Sequence, residues 1–183
     1  ARLSKRLRAL GPTSVEEYFR RLEKDEQEMV AFLDAVSTNH TYFFRESSNF
    51  RYLSESHLSI WCAASSSGEE PYSLAILLSR LIPDLADWDL TILATDINPN
   101  GFACARSGEY TQWAFRGTPA WVMSGYFTKT RDGRYRLAPA IQEMVTFRYL
   151  NLIEDPFPTE CDLILCRNVI RYFSRETAVK VAD

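Results

Sequence analysis

The chain has 183 residues, 46% of them hydrophobic and 13% aromatic, enough for one medium domain plus a small one. Its net charge of −3, from 21 Lys and Arg against 24 Asp and Glu, excludes nucleic-acid binding by bulk electrostatics. No apolar stretch nears the roughly 18 residues that span a membrane, the basic N-terminal stretch does not read as a signal peptide, and the two His offer no zinc site beside four Cys that form no C-x-x-C pair.

In chain order, Arg2, Lys5, Arg6 and Arg8 precede the first acid, Glu16, and Leu3, Leu7 and Leu10 share one face of a predicted basic helix. Such a helix is either a solvated face or a docking surface for an acidic partner. Gly11-Pro12-Thr13 ends it. Ser14 can cap the next helix with Glu17 three residues later. Tyr18, Phe19, Leu22, Met29, Phe32, Leu33 and Val36 then recur at helical spacing. Residues 1–37 are therefore expected to be a small helical domain, 38–48 a hinge, and 49–183 the larger domain. In the latter, strands are predicted near 59–64, 90–95, 145–150 and 162–166, with helices over 69–81, about 98–106, and from about 174 onward. Strands alternating with helices argue for a parallel sheet. An insertion at about 113–139 carries Arg131-Asp132-Gly133-Arg134 between Tyr126-Phe127 and Tyr135-Arg136-Leu137, a hairpin signal and hence a small antiparallel subdomain. Cys62, Cys104, Cys161 and Cys166 read as free thiols in a reducing cytoplasm.

The segment Ile60–Leu78, IWCAASSSGEEPYSLAILL, reads as a buried strand, a turn of small residues and a helix that begins with Glu69-Glu70. Ser65, Ser66, Ser67 and Gly68 let a ligand approach the backbone, and Pro71 suits a first helical turn. Doubly wound sheets hold nucleotide-like ligands with such units. A helix start normally attracts phosphate, but two carboxylates there repel it and favour a cationic ligand. Asp96 closes the run Leu90–Thr95, where such folds bind ribose hydroxyls. G-x-G-x-x-G is absent, and so is any P-loop pattern. A ribose-bearing, phosphate-free cation such as S-adenosylmethionine fits. The alternative is an ordinary α/β turn with solvated acids.

Four motifs occur in a fixed order: Asn39-His40-Thr41-Tyr42-Phe43-Phe44-Arg45, Gly68-Glu69-Glu70-Pro71-Tyr72-Ser73, Ala94-Thr95-Asp96-Ile97, and Leu165-Cys166-Arg167-Asn168-Val169-Ile170-Arg171-Tyr172-Phe173. Together, over nearly the whole chain, they resemble the CheR-type chemotaxis receptor methyltransferases. One departure is that the first turn position, often glycine in methyltransferases, is Ala64 or Ser65. The resemblance implies an α/β, Rossmann-like S-adenosylmethionine-dependent methyltransferase sheet with a small N-terminal helical domain and a small antiparallel β-subdomain. The complete sheet it implies exceeds the strands legible here, so the chain is expected to be C-terminally incomplete.

It further implies transfer of a methyl group from S-adenosylmethionine to glutamate side chains of a chemoreceptor, leaving S-adenosylhomocysteine. It assigns Asn39, Thr41, Arg45, Glu70, Asp96, Asn151, Leu152, Arg167 and Asn168 to the cofactor. Arg45 and Tyr172 are the catalytic candidates. Arg45 would orient the substrate carboxylate, its alternative being a structural ion pair; for Tyr172 the alternative is core packing. Phe43-Phe44 is read as hinge core in preference to adenine stacking. Arg2, Lys5, Arg6 and Arg8 would dock the glutamate-rich receptor helices. The short hairpin loop resembles members that work without a receptor C-terminal tether. A cytoplasmic monomer with no metal, no nucleic acid and no membrane insertion is expected. Two other functions fit the same sequence: the same chemistry in a non-chemotaxis signalling system, or an inactive cofactor- or receptor-binding module.

Overall fold

A computed structural model of the chain describes residues 57–182 and, ahead of them, Tyr18, Asp25, Gln27 and Glu28. Apart from those four residues, the predicted N-terminal helices and the hinge lie outside the described residues. From residue 57 the elements run β1 (His57–Ala63), α1 (Glu69–Leu81), β2 (Asp89–Asp96), α2 (Pro99–Ser107), β3 (Glu109–Tyr110), α3 (Ala120–Tyr126), β4 (Phe127–Lys129), β5 (Tyr135–Leu137), α4 (Pro139–Gln142), β6 (Val145–Tyr149), β7 (Leu163–Leu165) and α5 (Arg175–Ala182). Short 3-10 turns occupy Leu85–Asp87, Gln112–Phe115 and Ile170–Tyr172.

β1, β2, β6 and β7 form one parallel sheet in the order β6-β2-β1-β7. β1 is central and buried on both faces, which is why it reads as a continuous apolar run without alternation. Leu58, Ile60 and Cys62 belong to the main core with Tyr72, Leu74, Ile76 and Leu78 of α1. Trp61 and Ala63 join a second cluster with Leu150, Leu152 and Phe157. The alternation places these two sets on opposite faces.

Helix boundaries follow local chemistry. α1 starts after Gly68, whose φ of 90° is the left-handed region that glycine enters without a Cβ penalty. It stops at Ile82, extended at φ −110° ahead of Pro83. α2 begins with the Asn98 side chain accepting the Asn100 N–H at 3.0 Å and with Pro99 at the first helical position.

The second sheet is antiparallel, in the order β3-β5-β4. β4 and β5 fall where the sequence places a hairpin; β3 adds a strand at Glu109–Tyr110, ahead of residue 113. The subdomain is packed by aromatic edges, Phe115 lying 4.8 Å from Phe127 and 5.1 Å from Tyr135 between ring centroids. It is bound to the main domain through Tyr110, 3% exposed, whose ring meets Tyr72 edge-on at 6.5 Å.

A Cβ at Gly68 would lie 2.9 Å from the Ala105 Cβ and 3.1 Å from Phe147 Cζ, in a backbone conformation that side chains disfavour. Gly68→Ala is therefore expected to lower stability by about 2 kcal/mol. The measurement is urea unfolding, read as a lower midpoint at constant slope. An unchanged midpoint would mean that the turn is not held this tightly.

Candidate functional site

The chain runs from β1 outward through β2 to β6, then returns to the other side of β1 as β7. Strand order thus reverses between β1 and β7, and open sheets bind ligands at the C-terminal strand ends beside such a reversal. The segments found there are 64–68, 96–98, 150–152 and 166–168.

The loop 64–68 has left-handed residues at alternate positions, Ala64 (φ 56°), Ser66 (φ 54°) and Gly68 (φ 90°). Each non-glycine residue in that region costs about 1–2 kcal/mol, so the surroundings must hold the loop. Ser65 N–H donates to the Thr95 carbonyl at 2.9 Å, and Gly68 N–H to the Ser65 carbonyl at 3.1 Å. Ser66 N–H donates to Asp96 Oδ2 at 2.8 Å, and the Tyr110 hydroxyl to the Ser67 carbonyl at 2.9 Å. α2 seats against the loop at Gly101, where a Cβ would come within 2.5 Å of the Ser66 carbonyl oxygen.

Asp96 is half-buried. Besides Ser66, it accepts the Asn98 N–H on Oδ1 at 2.8 Å. Each oxygen keeps a further lone-pair direction for a ligand hydroxyl. Burial raises its pKa, opposed by the backbone N–H groups of Asn98, Ser66 and Ile97.

The two acids of the turn are not the bare negative charges expected from sequence, and that expectation is corrected. Glu69 is 5% exposed, and Ser67 Oγ donates to it at 2.8 Å. Burial pushes its pKa up. Glu70 meets Arg167 Nη1 at 2.8 Å, with side chains 13% and 10% exposed. An ion taken out of water needs such a partner. The contact joins the exits of β1 and β7 across the switch point.

Asn151 uses its side chain on its own turn, accepting the Ile153 N–H at 3.0 Å and donating to Glu154 Oε2 at 3.0 Å. The Leu150 N–H donates to the Asp96 carbonyl at 3.1 Å, so the 150–152 segment lies beside Asp96. Leu152 packs against the Trp61 cluster. Asn168 follows Arg167 in the left-handed region, at φ 61°. Tyr172 is 61% exposed, which removes the core-packing alternative for it. The structure therefore joins Glu70 with Arg167 and Asp96 with the 150–152 segment; Tyr172 makes no contact with them that enters this arrangement. Asn39, Thr41, Arg45, Arg2, Lys5, Arg6 and Arg8 lie outside the described residues.

Sequence reasoning placed Ser66 in the turn but missed Gly101 and Tyr110 as builders of the loop. The signal for Gly101 was an isolated glycine inside a helical segment, which usually has a packing reason. Cys62, Cys104, Cys161 and Cys166 are free thiols. Among the described residues no group of three or more His, Cys, Asp or Glu could hold a metal ion, and no helix is long and apolar enough to cross a membrane.

An acid after β2, a loop of small residues after β1 and a paired acid and base therefore lie together at the C-terminal rim of the sheet. The residues present fit S-adenosylmethionine: Gly68 and Gly101 keep the loop slim, and Asp96 retains acceptor capacity. Residues 39–183 match the CheR methyltransferase, SAM binding domain, and residues 1–37 the CheR methyltransferase, all-alpha domain. The chain belongs to the CheR methyltransferase family, enzymes that use S-adenosylmethionine as cofactor. A chemotaxis protein methyltransferase of Borreliella burgdorferi is 34% identical over 203 residues, covering 100% of this chain and 72% of the relative. Chemotaxis protein methyltransferase 2 of Pseudomonas aeruginosa is 36% identical over 197 residues, covering 100% and 70%. A chemotaxis protein methyltransferase of Salmonella typhimurium is 35% identical over 189 residues, covering 96% and 65%.

Two outcomes follow from the site's electrostatics. Arg167→Met removes the cation that Glu70 meets and is expected to cost about 3 kcal/mol in urea unfolding at pH 7, less when combined with Glu70→Gln. A loss below about 1 kcal/mol would make the pair a screened surface contact. Glu69, with its folded pKa raised from 4.5, binds its proton more tightly in the native state, so its contribution to stability falls as pH rises through 4.5 toward the raised value. Glu69→Gln should therefore gain stability relative to wild type as pH increases through that window. Unfolding curves that stay parallel from pH 4 to 7 would contradict it.

Proposed function

We propose that the protein methylates glutamate side chains on the cytoplasmic helices of a chemoreceptor, the adaptation step of chemotaxis signalling. The observation that carries this reading is the match, over nearly the whole chain, to relatives named chemotaxis protein methyltransferase. The bound cofactor supplies an electrophilic methyl group on a sulfonium. Asp96 holds ribose hydroxyls, Glu70 and Arg167 take the amino and carboxylate groups of the aminoacyl end, and Asn151, Leu152 and Asn168 flank the nucleoside. Asn39, Thr41 and Arg45 are assigned to the cofactor as well, on the resemblance of residues 39–45 to the family's motif alone.

The acceptor needs no general base. A glutamate carboxylate with a pKa of about 4.3 is almost wholly ionised at neutral pH. The chain's residues have to orient it in line and exclude water. Arg45 orients the carboxylate through its planar guanidinium, and Tyr172, whose side chain is exposed, is the second candidate to meet the substrate. Arg2, Lys5, Arg6 and Arg8 steer acidic receptor helices toward the site. The turn between β4 and β5 is short, Thr130 N–H donating to the Arg134 carbonyl at 2.9 Å. That favours action without a receptor C-terminal tether.

The test is incubation of the protein with receptor fragments and methyl-labelled S-adenosylmethionine. Base-labile label in the receptor is the expected result, because carboxyl methyl esters hydrolyse in alkali. Base-stable label, or none in any receptor while another protein accepts it, would overturn the reading. Asp96→Ala is expected to weaken S-adenosylhomocysteine binding by about 1.5–3 kcal/mol in calorimetric titration. Unchanged affinity would remove Asp96 from the site.

A further inference from the structure

Two side chains of the loop 64–68 stand in states that folding alone does not explain. Ser65 Oγ and Ser66 Oγ are buried and meet no hydrogen-bond partner among the described residues. Ser65 as a whole is 2% exposed, and its backbone is fully engaged, the N–H with Thr95 and the carbonyl with Gly68. A buried hydroxyl without a partner is destabilising. Alanine would fill nearly the same space at either position without that penalty. At Ser66, with φ 54°, glycine would relieve the backbone as well. Both serines lie between the two parts of the site, since Ser66 N–H is bound to Asp96 while the helix after Gly68 carries Glu70 against Arg167.

We propose that Ser65 and Ser66 are positioning residues for the cofactor, whose hydroxyls gain their missing hydrogen bonds from polar atoms of bound S-adenosylmethionine. The inference rests on the cofactor site described above. A change of χ1 is enough to turn a serine hydroxyl from its enclosed position toward a ligand, because its three staggered rotamers need no backbone movement. The ligand-free loop is thus held in a less favourable state that ligand entry relieves. The two serines sharpen affinity for a ligand with polar atoms at this point and leave the methyl-transfer step alone.

The experiment compares wild type with Ser65→Ala and Ser66→Ala in three measurements: melting temperature of the ligand-free protein, calorimetric affinity for S-adenosylhomocysteine, and KM and kcat with S-adenosylmethionine. Each variant should melt at or above the wild-type temperature. Affinity should fall about three- to tenfold, the loss of one neutral hydrogen bond. KM should rise by a similar factor with kcat unchanged. The opposite directions of stability and affinity separate this role from a structural one. Unchanged affinity in both variants, or stability and affinity falling together, overturns the proposal. Failure of the wild-type protein to bind S-adenosylhomocysteine in the same titration would overturn the cofactor site itself.

Discussion

The carboxylate of Asp96 is the point on which the other features of the rim depend. Its two oxygens accept one backbone N–H from the exit of β1, at Ser66, and one from the start of α2, at Asn98. Those bonds hold a loop in which Ala64 and Ser66 occupy a conformation that L residues resist. The neighbouring carbonyl of Asp96 receives the Leu150 N–H, which brings the exit of β6 alongside. One acidic residue therefore fixes three strand exits before any ligand arrives. A donor or acceptor whose orientation is set by several bonds reorganises little when a ligand docks, which is the physical content of preorganisation.

A second connection closes the other side. Glu70 and Arg167 are 97 residues apart in sequence and 2.8 Å apart in space. Their contact bridges the strands between which sheet order reverses. Because the pair is close to neutral as a unit, the site's selectivity does not rest on excess negative charge, as the Glu69-Glu70 dipeptide suggests when read alone. A ligand end bearing both an ammonium and a carboxylate can exchange with such a pair without leaving either protein charge alone. Tyr110 adds a third tie, from the antiparallel subdomain to the Ser67 carbonyl, so a shift of the β3-β5-β4 sheet would be felt in the cofactor loop.

Much of this architecture was legible in the sequence because its signals are local. β1 and β2 are long apolar runs closed by small or acidic residues, α1 is bounded by Gly68 and Pro83, and Asp132-Gly133 marks the hairpin. The parallel sheet, its flanking helices and the small antiparallel sheet follow from those signals, and so does the cofactor class. What the sequence hid is non-local or subtle. β3 is two residues long and carries no periodicity. The burial of Glu69 depends on what packs above it. The left-handed backbone of Ala64 and Ser66 leaves no trace in their residue types. The role of Gly101 is visible only once the Ser66 carbonyl lies against it. Pairing of Glu70 with Arg167 needs the strand order, which no local pattern encodes.

The central claim is that S-adenosylmethionine binds at the C-terminal rim of β2, β1 and β7, around Asp96. Amide hydrogen exchange with and without S-adenosylhomocysteine tests it most directly, because a bound ligand covers the backbone of the strand exits and raises its protection. The account predicts slower exchange in 64–68, 96–98, 150–152 and 166–168, with β4 and β5 unaffected. Protection confined to the β4–β5 hairpin, or to the opposite, N-terminal ends of the strands around His57 and Asp89, would contradict it.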